Sequence, residues 1–432
     1  MFIHGNIRNL ADTGGAGPDA GRTCRFGLER WCAGHDPDPM PDSNSLPPIP
    51  REAGDDHSSD AVARRLALCE QVAGRAFPHL SGQAVVPAEM RGNIENLIGF
   101  AQVPIGIAGP LHVRGARGSR EVYVPMATTE GALVASYSRG MGWIAASGGA
   151  RAWVDESGLS QHPILEYVDG EQARRAASQA SADHAIYAGF VEGLTSHGSL
   201  HSVTPKVIGR RVILRLVFHT GDAIGVNMAA RAAQLIANRL GQDSGALRVH
   251  VHGQDVEKRA NSRALVEGRG RSAQAEVVIS RELLAEKART SPEELVAIAR
   301  TYALGYAHMG THNWMVQAAN GLAAVLLACG QDVAYLTECA TGFLDLDLTA
   351  EGNLYASVTL PSLLIGTVGG GSGQGTAAEC LELLGCSGSG GVGAFGEILA
   401  ATVLAGDLSL MAAFTAGEFV AAHEALGRNR PT

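Results

Sequence analysis

The sequence predicts an α+β protein in which a small α+β module is inserted into a larger domain built around a long helix. Three observations lead there. The chain has 432 residues, 46% of them hydrophobic and 18% charged, which is enough for more than one core. Between 163 and 249, helical and β-branched patterns mix over roughly ninety residues, a common domain size. After that stretch come two long segments rich in small residues, about 293–329 and about 395–426, which read as helices.

Taken in order, residues 1–60 read as a disordered and dispensable tail. Asp36-Pro37-Asp38-Pro39 and Pro47-Pro48-Ile49-Pro50 are extended and cannot hold a helix. Residues 61–98 form a small N-terminal segment, with a helix over Ala61 to Ala76. Residues 99–162 and 250–432 make the large domain, and 163–249 the insert. Ile98, Val103, Ile105 and Ile107 suggest extended chain entering a core, and Val122, Val124 and Pro125 end a strand. Thr128 and Thr129 are candidate N-caps for a helix from Gly131 to Arg139. In the insert, helices over Glu171 to Gly189 and Ala229 to Leu240 flank a strand, Val212 to Phe218, and a second strand follows at Leu247 to Val251.

Net charge is −9, from 43 acidic and 34 basic residues, which argues against nucleic acid as the main partner. Seven cysteines without a C-x-x-C fit reduced thiols in a cytoplasmic protein. No apolar run looks long enough to span a membrane, and no secretory signal is evident. His308 and His312 stand four residues apart, and His250 and His252 two apart. Neither pair has an H-E-x-x-H glutamate, so no metal site is expected. Gly391-Val392-Gly393-Ala394-Phe395-Gly396 fits a dinucleotide fingerprint, but no strand leads into it, so it reads as a loop and helix start.

Six stretches carry more. They are Glu95-Asn96-Leu97-Ile98-Gly99 continuing to Leu111, Pro125 to Gly131, Asp222 to Met228, Cys329-Gly330-Gln331-Asp332, Ile365 to Gly371, and Ala405 to Ala413 leading to His423. In that order they resemble the 3-hydroxy-3-methylglutaryl-CoA reductase family, over roughly 62–430. The glycine-rich segment and the insert look like the first class of that family, in a soluble form without a membrane domain. The resemblance implies NADPH as cofactor, an acyl-CoA substrate, a ferredoxin-like inserted NADP-binding domain, and a homodimer or higher whose active sites span the interface. It implies reduction of the thioester to mevalonate by two hydride transfers. The same chemistry on another acyl-CoA, or an inert homologue, are the alternatives.

The resemblance also assigns residues. Glu130 exchanges a proton at the substrate carbonyl. By itself Glu130 would be a first-turn carboxylate facing a helix dipole. A proton donor needs a neighbour that disfavours its charge, and Asp332 is the candidate. Lys258, alone a member of a solvated charge run, becomes the cation for the developing oxyanion. His423, alone a helix-terminal histidine, becomes the acid that protonates the departing thiolate. Asp222, Gly225, Asn227, Met228, Gly369 and Gly370 fall in the cofactor stretches. Arg139, Arg259, Arg300 and Asn320 fall at substrate positions. Several positions depart from the family. Val251 stands for a serine, Glu257 for an aspartate, Arg259 and Arg300 for lysines, and Gln317 for a histidine. An arginine is replaced around Gln161 and another at Gly142. The groups tied to the chemistry are kept, while those that grip the substrate are altered.

Overall fold

The structure, a computed structural model, describes residues 46–52, 55–251, 258–259, 262–311 and 313–416. Helix α1 (Ser59–Ala73) starts where the Ser58 hydroxyl accepts from the Ala61 amide and ends at Gly74 in the left-handed conformation. Strands β1 (Ile105–Gly115) and β2 (Gly118–Ala127) form an antiparallel hairpin. Helix α2 (Leu133–Ala146) follows. The expected threonine caps are not used. Ala132, at φ 68°, precedes the helix with no side-chain cap, and the Thr128 hydroxyl accepts from the Glu130 amide instead. Strand β3 (Ala150–Gln161) then runs out of the large sheet and into the insert.

The insert contains β4 (Ile164–Glu166), α3 (Gly170–Ala182), α4 (His184–Glu192), β5 (Ser199–Ile208), β6 (Arg211–His219), α5 (Val226–Ser244) and β7 (Arg248–His250). The helix expected over 171–189 is therefore two, broken at Asp183. Strand order β7-β4-β6-β5, all antiparallel, is the β-α-β-β-α-β arrangement of ferredoxin-like modules. Alternation sets which face of β6 is covered: Val212, Leu214, Leu216 and Phe218 are fully buried on one side.

The chain re-enters the large domain through α6 (Ser262–Glu267) and β8 (Gly270–Ile279). Next come α7 (Pro292–His308), opened by a Ser291–Glu294 capping box, and α8 (Ala318–Ala328). The sequence pattern suggests one helix over 293–329, and the structure has two. The break follows Met309, where Gly310 takes φ 69° and leaves the helical path. Strands β9 (Phe343–Leu348) and β10 (Leu354–Leu363) extend the sheet as β3-β8-β10-β9. Helix α9 (Gly375–Leu383) precedes α10 (Val392–Thr415).

Helix α10 corrects one expectation. With mean hydropathy 1.8 it is long and apolar enough to cross a membrane, yet 83% of that stretch is buried within the protein. It is the central core helix, apolar all round because it is surrounded. Small residues permit the contact: a Cβ at Gly140 of α2 would stand 1.9 Å from the Ala405 carbonyl oxygen. Its expected continuation to 426 lies outside the described residues.

The tail also needs correction at its near end. The Leu46 amide donates to Glu121 at 2.6 Å, the Tyr123 hydroxyl donates to the Pro47 carbonyl, and Leu46 and Ile49 pack on Leu68, Phe77 and Tyr123. Proline fixes the extended shape that lets this segment lie along β2. Residues 1–45 lie outside the described residues.

Candidate active site

Lys258 is a candidate site residue held through both its side chain and its backbone. Its ammonium sits 2.8 Å from Asp332, both groups 44% exposed, and 5.0 Å over the Tyr335 ring. Its backbone has φ 57°. Asp332 is held by the turn it starts, where its Oδ1 accepts from the Ala334 amide at 3.0 Å. Behind the pair lies a group that sequence reasoning missed. Glu338, fully buried, accepts from the Lys258 amide at 2.6 Å, and both its carboxylate oxygens accept from Arg269, at 3.1 and 3.0 Å. Nothing in Leu336-Thr337-Glu338-Cys339 distinguishes it from a surface turn in the sequence.

The stretches that the resemblance assigns to the cofactor meet beside this pair. Asp222 accepts from the Gly390 and Val392 amides at 2.7 and 3.3 Å, bracing the start of α10, and its carbonyl accepts from the Thr367 and Val368 amides. The Gly366 amide donates to the Gln331 side chain at 2.9 Å. Gly330, at φ 63°, lies so near Gly371 that a Cβ there would be 2.6 Å from its carbonyl oxygen. The loop 365–371 thus touches both the Asp222 turn and the turn carrying Asp332. Gly225 opens α5 at φ 79° with no side-chain cap. Asn227 in the first turn is exposed, and Met228 packs on the core.

Glu130 and Asn320 form a second group, with Asn320 Nδ2 donating to Glu130 Oε1 at 3.5 Å. Asn320 lies near the N-terminus of α8, and Asp332 just past its C-terminus. From Asn320 to Ala328 the helix rises about 12 Å. Within one copy Asp332 is therefore not the neighbour expected for Glu130. Beneath Glu130 and Asn320 lies a second missed residue. Asp407, fully buried in α10, accepts from the Gln317 and Val316 amides at 2.9 and 3.2 Å. Burial nonetheless pushes its carboxyl up to about 7. A lone aspartate among Leu404, Ala405, Leu408 and Leu410 was the available signal. Gln317, at the family's histidine position, turns inward: its amide nitrogen donates to Ser136 and to the Gly406 carbonyl.

The other assigned residues are dispersed. Arg139 donates to the Ser409 hydroxyl and carbonyl at 3.0 and 2.9 Å and stacks on Trp143. Arg300, well exposed, stands 3.8 Å from Asp347. Arg259 is exposed beside Lys258. His423, and the second members of both histidine pairs, His252 and His312, lie outside the described residues. Among the described residues no three His, Cys, Asp or Glu side chains gather as metal ligands.

The structure thus joins a two-module α+β fold, a lysine–carboxylate pair beside a glycine loop, and an antiparallel insert without Rossmann topology. The profile of the hydroxymethylglutaryl-coenzyme A reductases matches residues 61–428. The 3-hydroxy-3-methylglutaryl-coenzyme A reductase of Pyrococcus abyssi is 38% identical over 376 residues, covering 84% of this chain and 92% of that protein. That of Aeropyrum pernix is 40% identical over 379 residues, covering 85% and 89%. The chain belongs to the hydroxymethylglutaryl-coenzyme A reductase family. A class II reductase from Streptococcus pneumoniae, solved bound to NADPH, has the same fold at TM-score 0.66 and 19% identity, covering 82% of this chain and 96% of that one.

Proposed function

We propose that this chain reduces 3-hydroxy-3-methylglutaryl-CoA to mevalonate and free CoA through two hydride transfers from NADPH. The observation that carries this reading is the Lys258–Asp332 pair at 2.8 Å, on the turn against which the glycine loop packs. The loop fits a cofactor: a Cβ at Gly369 or Gly370 would meet nothing within 4 Å, and the uncapped α5 N-terminus suits a phosphate. Asp222, Gly225, Asn227, Met228, Gly369 and Gly370 would hold it. Bound NADPH supplies the hydride.

The chain's own residues manage charge and protons. The Lys258 ammonium faces the carbonyl oxygen as it gains negative charge, and Asp332 keeps that ammonium in place. Glu130 delivers a proton to that oxygen to give the hemithioacetal, takes it back as the hemithioacetal breaks down to aldehyde, and delivers it again to give the alcohol. His423 protonates the thiolate as the hemithioacetal breaks down to aldehyde. Arg259, Arg300 and Asn320 hold substrate, and Arg139 reaches CoA by leaving Ser409.

The separation along α8 supports a site completed by two copies, with Glu130 and Asn320 from one facing Lys258 and Asp332 of the other. The strip around Glu95–Gly99 supports such a contact: Ile94, Ile98 and Phe100 are at least half exposed. We also read the chain as first-class and NADPH-preferring from its glycine-rich segment and insert, since a likeness at 19% identity carries only the fold. Five buried thiols without a disulfide among the described residues support a reducing, cytoplasmic setting.

The test is a heterodimer. Glu130→Ala and Lys258→Ala homodimers should each fail to oxidise NADPH with the thioester, Lys258→Ala while still binding NADPH. Co-expressed with two tags and purified as heterodimers, they should regain about half of wild-type kcat, because one of two shared sites carries neither change. An inactive heterodimer means each copy holds its own complete site. An active Lys258→Ala homodimer removes lysine from the mechanism.

A further inference from the structure

We infer that Glu338 is the positioning residue for Lys258, a buried carboxylate that fixes the lysine backbone while Asp332 fixes its ammonium. This rests on reading Lys258 as the catalytic cation. Lys258 adopts φ 57°, a left-handed conformation that costs an L-residue free energy and persists only where surroundings impose it. The imposing contact is its amide donating to the Glu338 carboxylate at 2.6 Å, a charge-assisted hydrogen bond slightly shorter than is usual for N–H···O.

Glu338 can do this because it is anchored from behind. Its carboxylate is 0% exposed and Arg269 is 1% exposed, and both Glu338 oxygens accept from one Arg269 nitrogen. A buried ion pair is weak evidence for stability, since desolvation offsets its attraction. Geometry is the better reason for it here. One short stretch, 332–338, places a carboxylate 2.8 Å from the ammonium, a ring 5.0 Å beneath it and a carboxylate 2.6 Å from the amide. The lysine is thus gripped at both ends by one segment. That segment starts beside the glycine loop, so moving the loop and moving the lysine become one event.

The experiment uses the full-length enzyme. Glu338→Asp keeps a carboxylate for Arg269 but shortens its reach to the Lys258 amide by one methylene. It should lower kcat by about 10²-fold, the scale of a misplacement near 1 Å. The dissociation constant for NADPH and the thermal midpoint should stay near wild type. Lys258 should become acetylated faster by acetic anhydride, read by peptide mass spectrometry. Glu338→Gln, which keeps an oxygen acceptor, should lose less kcat than Glu338→Asp. In the wild-type protein the Lys258 amide should exchange with deuterium slowly although its residue is exposed, a reading that needs no variant to fold. Wild-type kcat and unchanged Lys258 acetylation in Glu338→Asp, or fast exchange of that amide, overturns the inference. An active Lys258→Ala control would instead remove the reading beneath it, whatever Glu338 does.

Discussion

The two ends of α8 are built on opposite principles. At its C-terminal end, Lys258 and Asp332 rest on Glu338 and Arg269, a buried pair whose charges cancel. At its N-terminal end, Glu130 and Asn320 rest on Asp407, a buried carboxylate held by two backbone amides. Paired charges buried together must face one another, because either left alone would be a buried uncompensated charge. A carboxylate buried on amides alone is held by hydrogen bonds that its own titration can weaken. The end that carries Glu130 thus rests on a group that titrates near neutrality, and the end that carries Lys258 on a buried ion pair.

The largest expected effect among further changes concerns His423, whose placement neither end provides. His423→Gln should slow thioester reduction by about 10²–10⁴-fold, the usual worth of a general acid. It should barely touch reduction of the free aldehyde mevaldehyde, which releases no thiolate. Lys258 and Glu130 would serve both reactions. Steady-state kcat on the two substrates, with NADPH saturating, separates the cases. Equal losses would place His423 in support of the whole site.

The contrast between the two ends predicts a pH signature of intermediate size. The Asp407 carboxyl titrates at about 7 in the fold, against an ordinary aspartate value of 3.8 for the unfolded chain. Its native pKa is raised, so its contribution to stability is fully present below about 4 and is lost as pH rises through about 7. Asp407→Asn cannot ionise and lacks this slope. Its stability relative to wild type should therefore improve by roughly 2–3 kcal/mol between pH 5 and pH 8, read by urea denaturation. Parallel curves for the two proteins would show that Asp407 is ionised throughout.

Much of this was legible in the chain. A small α+β insert follows from the mixed helical and β-branched pattern over 163–249, its ferredoxin-like form from the resemblance, and the core helix from the small-residue run over about 395–426. Lys258 and Asp332, read as serving separate roles, come together at 2.8 Å. What the sequence hid was mostly separation and burial. Glu130 and Asp332 look like partners until α8 is found lying between them. Glu338 looks solvated until Arg269, sixty-nine residues upstream, is found against it. Gly310 reads as one small residue among many, yet it divides an expected helix into α7 and α8 and so sets where Asn320 begins.

The smallest effect should come from the N-terminal segment, which touches neither end of α8. Removing residues 1–45 takes away none of the contacts described and should leave the thermal midpoint and kcat unchanged. Removing residues 1–58 takes away more. The Leu46 amide bond to Glu121 goes, as do Leu46 and Ile49 packed on Phe77 and Tyr123, the Asp56–Arg65 pair at 2.8 Å, and the Ser58 cap of α1. Two half-buried aliphatic side chains and one cap together are worth about 2–4 kcal/mol, enough to lower the midpoint by several degrees. The lost stability should leave kcat intact at 25 °C, because Tyr123 and Phe77 belong to a small core separate from the main one that carries both ends of α8. A longer truncation as stable as the shorter one would mean that the Leu46–Pro50 strap adds nothing. A loss of kcat at full stability would mean that the strap reaches the site, and that the two ends of α8 are not the only places where its geometry is set.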